Sequence, residues 1–283
     1  MVKLSTTVAV GRAAKPLSLK DEIVLLGSCF VDNVAEKLKN AGFQITANPF
    51  GTIYNPASIA QAVELLDSQR LFTTEDCVKM GAGVDEVCSF YHHSSFARKE
   101  EQEFLENANK ELERARGIWH KANKVIVSLG TAMVWEHKEE EGKRLVNNCL
   151  KRPGYEFEHR MLSLEEVNKS LKSIVEAHPE KDFIFTVSPI RHMGEGAQLN
   201  TLSKSRLHLA IEDLGLDYFP AYEILLDELR DYRFFSEDLV HPSKVAIEII
   251  WERFLDYAGV PEEKKLIEQN EKSSKFTQHA RRD

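Results

Sequence analysis

The stretch 21-DEIVLLGSCFVDNVAEKL-38 decides the reading of this chain, because within a few residues an apolar run passes through Gly27, Ser28 and Cys29 into a helical pattern. The run 23-IVLLG-27 is short and continuously apolar, which predicts a strand buried on both faces. Beyond it, Phe30, Val34 and Leu38 recur every four residues, the spacing of one helix face. Two nucleophilic side chains, Ser28 and Cys29, therefore stand where a strand hands over to a helix. In an open α/β sheet ligands collect at such strand ends, and the free N–H groups of a helix start stabilise a thiolate or a developing oxyanion.

Two more apolar runs, 124-KVIVSLG-130 and 183-FIFTVSP-189, predict neighbouring central strands. Helical patterns lie between them. The charged segment 98–119 carries Phe104, Leu105, Leu112 and Ile118, and segments 163–177 and 199–214 also favour helix. A last helix is expected within 241-HPSKVAIEIIWERFLDYAG-259, with Pro242 at its first position and Gly259 as its stop. Strands alternating with helices imply an α/β fold with a mostly parallel sheet. Around 80–93 and 143–160, glycine, histidine and aromatic residues break the pattern and predict loops or a small antiparallel excursion beside the site. Residues 1–262 read as one domain, and the polar, charged 263–283 as a helix end followed by a loose tail.

At 283 residues, 42% of them hydrophobic, the chain is long enough for one large core. Lys plus Arg number 37 against 45 Asp plus Glu, so no global basic field draws the chain to nucleic acid. No run of about 18 apolar residues provides a membrane span. The first 22 residues lack the apolar core of a secretory signal, and a cytoplasmic location is expected. The four cysteines, Cys29, Cys77, Cys88 and Cys149, form no CxxC pair and are expected to be reduced. His92 and His93 follow Cys88 without a compact ligand set, so neither a metal nor another cofactor is expected. No feature specifies an oligomeric state.

At the helix start the chemistry divides. Cys29 can act as a nucleophile, and a thiol at a helix N-terminus with a neighbouring histidine is expected to be substantially ionised near neutral pH. Alternatively Ser28 is an ordinary N-cap for helix 29–40 and Cys29 a small buried hydrophobe. A second constellation stands in 236-SEDLVHPS-243, where Asp238 and His241 are three residues apart. In so short a turn the carboxylate can reach one imidazole nitrogen and leave the other facing a cleft, as the orienter and base of a triad do. The competing reading is an exposed loop pair, with Asp238 capping the next helix. Arg191 and His192 follow the strand 183–188, where they can bind a carboxylate, phosphate or sugar hydroxyl. Asn55, Asn200 and Trp135 are further candidates of the same kind.

Taken together, GSCFV at 27–31, NPFGTIYNP at 48–56, Gly130-Thr131, 187-VSPIRH-192 and DLVHPS at 238–243 resemble the GSCFA family, which is placed with the SGNH or GDSL-like hydrolase superfamily. The motifs run in order from about residue 20 to residue 260, with Val31 where the family name has Ala. The resemblance implies a three-layer α/β/α, flavodoxin-like SGNH-hydrolase fold and a nucleophile–His–Asp site for acyl transfer. It places the nucleophile at Cys29, while a one-residue slip nominates Ser28. The terminal Asp-x-x-His falls on Asp238 and His241, and an oxyanion glycine on Gly51. The superfamily's Gly-x-Asn-Asp block is replaced by Gly130-Thr131-Ala132-Met133, which lacks the oxyanion amide. The Thr131 hydroxyl, or the backbone N–H groups of Cys29 and Gly51, would then take its place. The implied function is acyl ester or thioester hydrolysis, or O-acyl transfer, with an acylated carbohydrate as the small-molecule substrate by analogy with related families. The alternative is a non-catalytic glycan- or ligand-binding module that retains the fold.

Overall fold

Strand and helix alternate along the chain as the apolar runs require. The computed structural model describes residues 5–260 and 263–280, with side chains up to residue 274. In chain order the first elements are β1 (Glu22–Gly27), α1 (Phe30–Ala41), β2 (Gln44–Ala47), α2 (Pro56–Asp67), β3 (Val78–Lys79), β4 (Val87–Cys88), α3 (Glu101–Trp119) and β5 (Lys124–Leu129). They are followed by β6 (Met133–Glu139), β7 (Gly142–Val146), β8 (Phe157–Met161), α4 (Leu164–Ala177), β9 (Asp182–Val187), α5 (Ala197–Asp213), α6 (Ala221–Glu223), α7 (Lys244–Ala258) and α8 (Lys264–Ala280).

The central sheet has the order β2-β1-β5-β9 and is parallel throughout. Beyond β9 the Phe219 N–H donates to the Phe185 carbonyl (2.8 Å) and the Phe185 N–H to the Asp217 carbonyl (2.8 Å), extending the edge by a parallel bridge. Period-two alternation assigns the two faces. Ile23, Leu25, Ile126 and Ile184 pack under α1, α7 and α8, whereas Val24, Leu26, Val125, Val127, Phe183 and Phe185 pack under α2, α3, α4 and α5. The result is the expected three-layer α/β/α fold. Each fully buried aliphatic side chain contributes roughly 1.5–3 kcal/mol, so the central strands bind both helical layers to one sheet.

The antiparallel excursion takes the form of a three-stranded sheet, β7-β6-β8, and a two-residue pair, β3-β4. Two expectations are corrected. The helix expected within 241–259 starts at Lys244 rather than Pro242, because Ser243 caps it, its hydroxyl accepting the Ala246 N–H (3.3 Å). Pro242 lies outside, paired with Phe235. The charged segment from Lys264 to Ala280 is a helix, not a loose tail, while 281–283 lie outside the described residues: Ile267 is buried, the Trp251 indole N–H donates to Glu271 (2.7 Å), and the Asn270 amide donates to the Ala41 carbonyl (2.9 Å). Lys264, Lys265, Glu268 and Lys272 lie on the exposed side of a helix whose other side meets α1 and α7, which composition could not distinguish from an unpacked tail. No helix among the described residues is long and apolar enough to cross a membrane.

Candidate active site

The carboxyl ends of β1, β5 and β9 meet the turn before α7, and this brings Cys29 to His241 across 212 positions of sequence. Cys29 occupies the N-cap position of α1 with helical backbone angles and makes no side-chain cap. Its Sγ lies 3.7 Å from His241 Nε2. On the far side of the ring, His241 Nδ1 is 2.6 Å from Asp238 Oδ2. The other carboxylate oxygen, Oδ1, accepts the backbone N–H groups of Val240 and His241, both at 2.9 Å. Those bonds hold the Asp238 carboxyl down at about 2, so it is ionised at any working pH. The orientation of His241 is therefore built into its own turn.

The turn is strained and braced. Leu239 has φ +58, a left-handed conformation that costs a residue with a Cβ roughly 1–3 kcal/mol. The Arg191 guanidinium donates to the Leu239 carbonyl and sits over the rings of Phe235 (4.7 Å) and Tyr232 (5.7 Å). Arg191 lines the cleft, but this bracing of the Asp-x-x-His turn is the contact its guanidinium makes, in place of the expected ligand contact.

Of the two adjacent nucleophiles, only Cys29 touches His241. Ser28 is fully buried, with its hydroxyl 3.2 Å from the Ser128 hydroxyl and its N–H donated to the Ser128 carbonyl (3.1 Å), so it is neither a helix cap nor part of the cleft wall. The expected low thiol pKa is corrected as well. Burial pushes the Cys29 thiol up from its ordinary value, and the Asp32 carboxylate one helical turn on pushes it further. The backbone N–H groups of Cys29 and Phe30 and the Lys204 ammonium oppose this without prevailing. Cys29 is thus held as a thiol rather than a standing thiolate, with His241 Nε2 3.7 Å from its sulfur.

Of the expected oxyanion donors, Gly51 and Thr131 are both engaged in internal hydrogen bonds. The Gly51 N–H donates to the Asn48 carbonyl (2.8 Å), and this glycine has φ +83 with a methyl at its Cα colliding with His93, so its role is a tight turn. The Thr131 hydroxyl lies 3.0 Å from Ser203 Oγ and accepts the Met133 N–H (3.0 Å). Gly130 and Thr131 both donate their N–H groups to the Tyr54 carbonyl, at 2.8 and 3.0 Å. Lys204, unnoticed in the sequence, is fully enclosed beneath this loop and donates to the Gly130 (2.6 Å) and Ser188 (2.7 Å) carbonyls. Burial lowers its pKa to about 7. The signal that could have found it is its place on the buried stripe Asn200, Ser203, Lys204, Leu207 of α5.

Asn55 lines the cleft, yet it is the N-cap of α2, accepting the Ser58 N–H (2.8 Å) and donating to the Ser58 hydroxyl (3.0 Å). Asn200 accepts the His192 backbone N–H (2.9 Å). His192 itself enters the cleft wall against Gly130, where its Nε2 is buried without a hydrogen-bond partner among the described residues. The opposite wall comes from the antiparallel sheet: Trp135, 40% exposed, lies flat on His159 with centroids 3.9 Å apart and planes 5° off parallel. Between the walls the cleft encloses about 520 Å³. His92 is remote from it, buried among Phe50, Phe72, Phe96 and Phe104 with Nδ1 on the Ser89 hydroxyl (2.7 Å).

No curated protein matches the chain. Among solved structures, a candidate lipolytic protein of the G-D-S-L family from Desulfitobacterium hafniense DCB-2 is similar at 10% identity and a TM-score of 0.44, covering 83% of this chain and 98% of that one. A candidate acylhydrolase from Bacteroides fragilis NCTC 9343 is similar at 11% identity and a TM-score of 0.43, covering 89% and 91%. An acetyl xylan esterase from the rumen bacterium Butyrivibrio proteoclasticus is similar at 10% identity and a TM-score of 0.33, covering 88% and 64%. The model of the GSCFA family matches residues 22–254, a span that includes Cys29, Asp238 and His241, and the chain belongs to that family.

Proposed function

We propose that this protein is an acyl ester or thioester hydrolase, or an O-acyltransferase, that acts on acylated carbohydrate through Cys29, His241 and Asp238. The observation that carries this reading is the chain of contacts from Sγ to Nε2 (3.7 Å) and from Nδ1 to Oδ2 (2.6 Å). His241 Nε2 takes the thiol proton as Sγ adds to the acyl carbonyl. The tetrahedral adduct then collapses, expelling the alkoxide of an ester or the thiolate of a thioester, which leaves with the proton from His241. Water or a sugar hydroxyl, deprotonated by the same nitrogen, attacks the resulting thioester and frees the cysteine. Asp238 holds the ring with Nε2 facing sulfur and stabilises the imidazolium between the two proton transfers.

The carbohydrate assignment rests on Trp135, an exposed indole backed by His159 in a roomy cleft whose rim also carries Asn147 and Glu195. A flat apolar face beside hydrogen-bonding groups suits a sugar ring better than a long acyl chain. The rival reading, a non-catalytic glycan-binding module, draws support from the commitment of Gly51 and Thr131 to internal hydrogen bonds. Turnover of aryl acetates, acetyl thioesters and acetylated sugars by the wild type and by His241→Ala separates the two. The enzyme reading expects His241→Ala to remove nearly all activity, and expects Trp135→Ala to raise KM for acetylated sugars more than for aryl acetates. Equal slow background from both proteins would favour the binding module.

A further inference from the structure

With the third-block amide missing and Gly51 and Thr131 engaged elsewhere, an acyl-transfer site still needs a side-chain donor for the oxyanion. His192 lines the same cleft as Cys29 and His241. A methyl group on Gly130 would lie 3.3 Å from His192 Nε2 and 3.3 Å from Ser28 Cβ, so the bare glycine leaves space that the imidazole edge and the residue preceding Cys29 both border. The ring is held by the Asn200 side chain on its backbone N–H (2.9 Å) and by edge contact with Tyr54, centroids 5.8 Å apart and planes at 83°. Its Nε2 is buried and meets no acceptor among the described residues, an arrangement proteins seldom retain without a use for the group. Burial, with Lys204 and His241 nearby, lowers the His192 pKa to about 4, so the ring is neutral and keeps one N–H to give.

We propose that His192 is the oxyanion donor of this site: its Nε2–H and the Cys29 backbone N–H hydrogen-bond the acyl oxygen as the Cys29 sulfur adds. In that step the carbon–sulfur bond forms, the carbonyl π pair moves onto oxygen, and the thiol proton goes to His241. His192 lends its hydrogen bond and transfers no proton. The inference rests on the acyl-transfer reading of Cys29, and the test keeps the two apart.

The rate of Cys29 acetylation by 4-nitrophenyl acetate, followed by intact mass, is compared with the rate of Cys29 alkylation by iodoacetamide in wild type, His192→Leu and His192→Gln. Acetylation passes through an oxyanion, whereas alkylation is a displacement at saturated carbon that forms none. His192→Leu is expected to slow acetylation by about 10²–10³ while alkylation stays within about twofold, as expected for one lost oxyanion donor. His192→Gln, which keeps an N–H near the Nε2 position, is expected to recover at least about tenfold of that loss. A wild type whose Cys29 alkylates but never acetylates would sink the acyl-transfer reading itself. If His192→Leu acetylates as fast as wild type, loses alkylation in parallel, or gains nothing from Gln, the donor role is wrong.

Discussion

Replacing Asp238 by Asn should silence the histidine by reversing its tautomer, and the size of the effect follows from three hydrogen bonds. In the native turn Oδ1 accepts two backbone N–H groups, from Val240 and His241, while Oδ2 faces His241 Nδ1. An asparagine keeps both backbone bonds only by leaving its carbonyl oxygen on their side, which turns the NH₂ toward Nδ1. Nδ1 must then accept, the ring proton moves to Nε2, and Nε2 can no longer take the proton of Cys29. The flipped amide restores the active tautomer but breaks two backbone hydrogen bonds, each worth about five- to tenfold in population. The active form is thereby reduced about 25- to 100-fold, less than the roughly 10⁴ seen for a buried triad aspartate, because both side chains here are about half exposed. The assay is kcat/KM on an aryl acetate, with ¹⁵N NMR of the imidazole reporting the tautomer. An Asp238→Asn protein that keeps more than a third of wild-type activity would refute the orienting role.

The two nucleophile candidates separate cleanly: Cys29→Ala should abolish turnover, while Ser28→Ala, which loses only the Ser128 contact, should keep it and cost about 1 kcal/mol of stability by chemical denaturation. The opposite pattern would return the chemistry to Ser28. Because Asp32 helps push the Cys29 thiol up, Asp32→Asn should shift the pH profile of iodoacetamide labelling toward lower pH and speed labelling at pH 8. Cys77, Cys88 and Cys149, each raised to about 11, should lag throughout. An unchanged profile would remove Asp32 from the account. Lys204 is held near 7 when folded against an ordinary 10.5, so between those values the unfolded chain binds the extra proton and stability rises with pH. The stability of wild type relative to Lys204→Met should therefore climb by up to about 1.4 kcal/mol per pH unit across that window, measured by urea melts. A flat difference would mean that Lys204 remains charged inside.

Much of this molecule is written in short-range pattern. The residues 23-IVLL-26 alternate between two apolar cores, and that alternation, repeated in β5 and β9, specifies a parallel sheet sandwiched by helices. The Asp238–His241 pair is equally local, since three residues of turn bring carboxylate and imidazole together whatever the remainder of the chain does. The antiparallel excursion at 143–160 was legible from its broken periodicity. The edge strand β2, only QITA, carried too little apolar character to announce itself.

What sequence could not supply is direction and partnership. Ser28 and Cys29 are adjacent, and only the path of the chain out of β1 turns one hydroxyl into the core and the neighbouring thiol toward a histidine 212 residues away. The same holds for Gly51, Thr131 and Asn55, and for one terminal nitrogen of Arg191, which turn out to be engaged by neighbouring backbone or side chains. Lys204 was passed over and α8 misread for the opposite reason, because charge in the sequence signals solvent unless packing encloses it. Side-chain type and spacing determined the layers and the orienting turn. Which nucleophile meets the base, and which polar groups are left unpaired beside it, depended on burial and long-range contact, and only the folded chain sets those.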